Sequence, residues 1–201
     1  MRKAWAILLA FISASSSAYA ETPVSLPDFL SPVILNEAML DSVTAGAVSS
    51  TMMTNAFASG LTHAAAKTDV MTSADRRGIW QTAGKGVSVA QSDGLVFAEG
   101  TGVSSADTTG VSIGGSAIAF SDTADAYISV RTKAIDTRNA EIAIGHVRAI
   151  ACCGADTDTS VQATTFTGQD FNAGHITLKD INTPRLSYSL GNAVIVSVSH
   201  P

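Results

Sequence analysis

Residues 86–117 read GVSVAQSDGLVFAEGTGVSSADTTGVSIGGSA, and this stretch decides the fold class. It is built from Gly, Ser, Thr, Val and Ala in short alternating runs, the chemistry of a pleated and partly covered surface. Gly86, Gly94, Gly102 and Gly110 recur every eight residues, each followed by an apolar residue: Val87, Leu95, Val103 and Val111. The same register continues through Ala119, Tyr127, Ile135 and Ala143. A unit this short buries one or two medium apolar side chains, worth roughly 1.5–3 kcal/mol each. Ordering its backbone and side chains costs about 1.5 kcal/mol per residue. Single units therefore require stacked neighbours, which predicts a thin β-solenoid or roll with Val87, Leu95, Val103 and Val111 in one core column.

An antiparallel β-sandwich is the alternative. Ala117–Phe120 and Ala126–Val130 flank Ser121 to Asp125, which reads as a hairpin loop. Ala126, Ile128 and Val130 alternate with Tyr127, Ser129, Arg131 and Lys133, as in a sheet wetted on one side. Further strand candidates are Ala140–Ile150, Val161–Thr167, His175–Leu178, Leu186–Leu190 and Ala193–Ser199, with Gly191-Asn192 as a two-residue turn. Gly84-Lys85-Gly86 and Gly114-Gly115-Ser116 also read as turns, since neither has the Gly-Lys-Ser/Thr ending that grips phosphate. The β-rich domain spans 78–201.

Toward the N-terminus the composition changes. Residues 33–77 hold most of the methionines and an Ala run at Ala64–Ala66, and are compatible with helix. Ser31 suits a cap, Pro32 a first helical position, and Glu37 the positive end. Residues 21–32 carry Pro23, Pro27 and Pro32 and read as an extended linker. Residues 1–20 have a basic start at Arg2 and Lys3, an apolar run from Ala4 to Ala14, and Ala18-Tyr19-Ala20. That order predicts a secretory signal peptide cleaved after Ala20, with Ala18 and Ala20 as the small residues the peptidase needs. Removing Arg2 and Lys3 takes the net charge from −5 to −7. No later stretch has the length of a transmembrane helix.

Leu35-Asn36-Glu37-Ala38-Met39-Leu40-Asp41-Ser42-Val43-Thr44-Ala45-Gly46 resembles the leader segment of double-glycine-type secreted bacterial peptides. Leu35, Leu40 and Val43 stand twelve, seven and four positions before a cut after Gly46. Met39 stands where that family has Glu, and Ala45 where it has the first Gly. The resemblance implies a second processing step; an amphipathic helix stopped at Gly46 accounts for the same residues. The eight-residue stretch itself resembles β-solenoid surface proteins such as the heads of trimeric autotransporter adhesins.

Function is less legible. At 46% apolar and 14% charged the chain is too apolar for disorder, and its negative charge argues against nucleic acid, which needs clustered Lys and Arg. Cys152 and Cys153 are adjacent, and Cα atoms about 3.8 Å apart lie below the usual disulfide range. A vicinal disulfide at a turn, supported by Gly154, intermolecular bridges and free thiols all remain open. His63, His146, His175 and His200 share no local pattern, and Asp156-Thr157-Asp158 lacks the acidic positions of a calcium loop and reads as a solvated turn. No metal site, cofactor site or catalytic residue is assigned, no Gly-x-Ser-x-Gly elbow is present, and the chain is not read as an enzyme. Export and Ser/Thr/Gly-rich β chemistry suggest a structural or interaction protein of the bacterial envelope or exterior, periplasmic, surface-held or released. It would associate with itself or with other envelope proteins through sheet surfaces. The alternative is a periplasmic β-sandwich that binds a small ligand or sugar.

Overall fold

The computed structural model describes residues 39–45, 48–76, 79–137, 139–183 and 185–198. They form eleven strands and no helix: β1 (Met39–Ala45), β2 (Val48–Ser59), β3 (Ala64–Arg76), β4 (Trp80–Ser92), β5 (Leu95–Ala106), β6 (Thr109–Phe120), β7 (Ala124–Asp136), β8 (Ala140–Cys152), β9 (Asp156–Phe166), β10 (Asn172–Thr183) and β11 (Leu186–Val198). Every pairing is antiparallel. One sheet has the order β1-β2-β5-β6-β9 and the other β10-β11-β8-β7-β4-β3, and neither closes into a barrel. The main apolar cluster lies between the sheets: Met52, Val96 and Ile113 of the first pack with Ile128, Val130 and Val147 of the second, and two smaller clusters flank it around Val111 and Val48.

The connectivity is regular. Neighbouring strands form hairpins, and each even strand then pairs three strands on: β2 with β5, β4 with β7, β6 with β9. The chain lays a hairpin in one sheet, crosses, and lays the next in the other. Even strands begin at Val48, Trp80, Thr109 and Ala140, so the structural period is 29 to 32 residues. Only the last hairpin departs, with β11 against β8 and β10 outside it.

Several expectations are corrected. Within 33–77, expected to be helix-compatible, residues 39–45 and 48–76 are strands β1 to β3; residues 33–38 lie outside the described set, as do the signal peptide with Ala18 and Ala20, the linker, and Leu35–Ala38 and Gly46 of the leader-like segment. Val48, Ser50, Met52, Thr54, Ala56 and Ala58 are all buried. This is strict period-two alternation, hidden in the sequence because two of the six inward residues are hydroxyls.

The eight-residue column does not form. Val103 is 38% exposed and Ser104 is fully buried. Along β4 and β5 it is Gly84, Gly86, Gly100 and Gly102 that face the other sheet, because large side chains opposite fill their space. A Cβ on Gly84 would stand 2.7 Å from Met52 Cγ, and one on Gly86 2.7 Å from Thr54 Cγ2. Gly84-Lys85-Gly86 and Gly114-Gly115-Ser116 are therefore strand interior, not turns. Gly191-Asn192 is likewise the middle of β11, where a Cβ at Gly191 would meet Val147 Cγ1 at 2.8 Å. Ser121–Thr123 carries the chain from one sheet to the other and does not close a hairpin. A two-residue hairpin lies at Asp107-Thr108, where Asp107 takes the positive φ (46°) that such turns require.

Hydroxyls tie the two layers together. Ser104 Oγ lies 2.7 Å from Thr132 Oγ1 and 3.1 Å from Ser50 Oγ, within hydrogen-bond distance of both. Thr159 and Ser189 are 2.6 Å apart, Thr157 and Ser187 3.1 Å, and Thr109 Oγ1 donates to Ser197 Oγ at 2.9 Å. Ser88 Oγ donates to the Asn55 carbonyl. Each buried hydroxyl so paired contributes about 1 kcal/mol, whereas an unpaired one is a net cost. Among the described residues no helix is long and apolar enough to cross a membrane.

Candidate functional site

Four crossings between the sheets lie side by side at one end of the strands: Gly60–His63, Asp93–Gly94, Ser121–Thr123 and Cys153–Ala155. Backbone hydrogen bonds stitch them into a row. Asp93 N donates to His63 O (3.2 Å), Ser121 N to Gly94 O (3.1 Å), Ala155 N to Phe120 O (3.1 Å), and Cys153 N to Arg185 O (3.0 Å).

At the first crossing, the Asp93 carboxylate accepts from the backbone N–H of Thr62 (2.8 Å) and of His63 (3.2 Å), and from the Thr62 hydroxyl. The Thr62 hydroxyl, with the backbone N–H donors, favours the ionised form and holds Asp93 down to about 2. This folded value lies below the ordinary 3.8. The clamp's contribution to stability is therefore complete above that ordinary value and is lost as pH falls toward 2. Thr62→Val is expected to move the Asp93 titration upward, toward the ordinary value, in an NMR titration of side-chain carboxyl shifts. An unchanged midpoint would show that the hydroxyl is not the dominant donor.

At the fourth crossing, Cys152 ends β8 and is joined to Cys153 as a vicinal disulfide, with Cα atoms 3.8 Å apart. No described cysteine is free. Cys153 takes φ 68°, which turns the chain out of the strand. Its carbonyl accepts from Ser121 Oγ (3.0 Å) and Thr123 Oγ1 (3.3 Å). Asp125 on β7 stands directly across from Cys152, and its Oδ2 is 3.8 Å from Cys152 Sγ. Donor atoms of Asp125, Cys152 and Cys153 lie within 4.8 Å of one another. The fold thus brings to the cysteines a carboxylate 27 residues away, which no local spacing in the sequence signals.

The other candidates do not converge. His63 donates its backbone N–H in the first crossing, His146 Nδ1 is 2.6 Å from Asn192 Oδ1 on the outer face, and His175 Nε2 is 2.9 Å from Thr177 Oγ1 on β10; His200 lies outside the described residues. Asp156-Thr157-Asp158 opens β9 as strand, not as a turn. Burial pushes the Asp158 carboxyl above its ordinary value, and Asp156 and Asp180 add repulsion, although the Thr159 N–H bond opposes the rise. Burial, with Asp107 nearby, also raises Asp136.

Two surfaces escape sequence reading. A shallow groove on the outer face of β3, β4 and β7 is lined by Met71, Ser73, Lys85, Arg131 and Lys133, with Lys85 directly opposite Arg131. The second surface is the β9–β10 margin. β9 lies over β11 through the Thr157–Ser187 and Thr159–Ser189 contacts, so β10, the sixth strand of its sheet, extends past the last strand of the five-stranded one. All twelve residues of β10 are exposed, among them Ile176 (41%), Leu178 (49%) and Ile181 (44%). Comparison with protein-family models, with curated proteins and with solved structures finds no match to this chain.

Proposed function

We propose that this chain is an exported structural or interaction protein of the bacterial envelope or exterior, and that it associates through its sheet margin at β9 and β10. The observation that carries the reading is the wholly exposed β10, bonded on one side only and carrying Ile176 and Leu178 on one face. An edge strand with free main-chain groups and an apolar face is a template for another strand. A strand added beside β9 would lie over the overhanging side of β10. The architecture fits a β-sandwich assembled hairpin by hairpin. Its one-way lateral progression is the property that a stacked solenoid would also have, and it leaves different margins at the two ends, as head-to-tail association requires.

The leader likeness of residues 35–46 adds a proposed second cut after Gly46. Such a cut would separate β1 from β2 and make β2 an edge strand. The small-ligand reading rests on the groove of Lys85, Arg131 and Lys133, whose three cations suit an acidic sugar or other small anion. Size exclusion with light scattering separates the two readings. Association through β10 predicts concentration-dependent oligomers that Ile176→Lys with Leu178→Lys dissociates. Each apolar side chain returned to water is worth about 1.5 kcal/mol, so the pair weakens association about a hundredfold. A wild-type chain that stays monomeric at high concentration overturns the association reading and leaves the anion groove.

A further inference from the structure

We infer that the Cys152–Cys153 disulfide, once reduced, becomes with Asp125 a three-donor site for a soft divalent cation such as Zn2+ or Cd2+. Two thiolates and one carboxylate form a donor set of the kind that tetrahedral zinc accepts, with the fourth position left to water. The separations fit. Zn–S bonds of about 2.3 Å and Zn–O bonds of about 2.0–2.1 Å place tetrahedral S and O donors about 3.5 Å apart. Cys152 Sγ and Asp125 Oδ2 already stand 3.8 Å apart. The same bond lengths require two sulfurs about 3.8 Å apart. Disulfide-bonded sulfurs cannot adopt that spacing, so the oxidised pair excludes the ion and reduction admits it.

The frame does not depend on the disulfide. Asp125 and Cys152 are held face to face by the β7–β8 ladder, and Cys153 by its N–H bond to Arg185 O and by Ser121 and Thr123 on its carbonyl. Asp125 and Cys152 are half-buried and Cys153 is exposed, so an ion has access. Because a disulfide sulfur carries no proton, the Cys152–Asp125 approach in the oxidised chain is a contact and not a hydrogen bond. Reduction by a dithiol breaks the Sγ–Sγ bond with two electrons and two protons, and the reductant leaves as its own disulfide. The cation then displaces both thiol protons to solvent, which makes its affinity rise with pH. The site is a redox-gated one: oxidised it is closed, reduced it is open.

The test is a Cd2+ titration of the full chain, before and after reduction with a metal-free phosphine, read by the thiolate-to-metal absorbance band and by calorimetry. The expected result is one ion per reduced chain, with no band in the oxidised chain or in Cys152→Ser with Cys153→Ser. Asp125→Asn is expected to weaken binding at least about tenfold, the loss already typical when a group that merely orients a ligand is removed. Asp125→Ser serves as a second variant should Asp125→Asn perturb the hairpin, with far-ultraviolet dichroism checking the fold. Absence of the band in the reduced chain overturns the proposal. So does an affinity in both Asp125 variants equal to that of the wild-type chain, which would leave a dithiol without a third donor.

Discussion

Ser104→Asp is expected to unfold the chain, while Val103→Asp, one residue away, leaves it folded. Ser104 is fully buried between the sheets, where its hydroxyl joins Ser50 to Thr132. A carboxylate there is either an unpaired buried charge or a group forced to stay protonated, and both cost several kcal/mol. That is a large share of the 5–15 kcal/mol that holds a typical domain together. Val103 points outward at 38% exposure, and Asp there meets water. Ser104→Ala is a milder control, because Ser50 and Thr132, 3.3 Å apart, still satisfy one another; it should cost about 1 kcal/mol. Urea denaturation of the four proteins checks the order. Equal midpoints for Ser104→Asp and wild type would place residue 104 outside the core.

The second large effect is at Gly100. Gly100→Val is expected to destabilise by 3 kcal/mol or more, beyond the ~1–3 kcal/mol usual for overpacking, and Gly102→Ala by clearly less. A Cβ on Gly100 would lie 2.7 Å from Ile128 Cγ2 and 2.9 Å from Val130 Cγ2, two β-branched side chains that cannot swing away inside a strand. At Gly102 the nearest atom is Met52 Sδ at 2.7 Å, the end of a flexible thioether that can give, although Thr132 Cγ2 at 2.9 Å and Val130 Cγ1 at 3.0 Å limit the relief. Thermal unfolding should place Gly100→Val well below Gly102→Ala. The reverse order would mean that Ile128 and Val130 are not the residues filling the space over β5.

These two experiments also show where sequence reading succeeds and where it stops. Strand chemistry in 86–117 is plain, and in β7 Ala126, Ile128 and Val130 are buried as the alternation requires while Arg131 and Lys133 are exposed; of the other two residues expected outward, Tyr127 is half-buried and Ser129 is buried. Facing is lost wherever the inward residue is not apolar. Ser50, Ser104, Gly84 and Gly102 all point to the core because the layers approach closely, yet a hydrophobicity pattern scores them as outward. Gly191, read as a turn signal, is a packing site because Val147, its direct cross-strand neighbour on β8, fills the space beside it. Residues 48–76 look helical because Met and Ala are good helix formers, but hydrogen bonds to β5 and β4 override that preference. The cysteine pair is visible in the sequence; its partner Asp125 is not, because a cross-strand neighbour is fixed by register, and this one follows from the β7–β8 hairpin, whose turn lies at the far ends of both strands, beyond the Asp136–Glu141 pair.

That three-strand rule bears on how the chain reaches its native state. β5 completes the pairing of β2, β7 that of β4, β9 that of β6 and β11 that of β8, so each even strand waits for only the next three strands to emerge. A chain that emerges from its N-terminus can add one hairpin at a time to an existing margin without needing its distal end. Growth of this kind keeps one unfinished edge open at every stage. The last hairpin is inverted, so the margin it leaves is β10, a strand laid down before β11 and not after it.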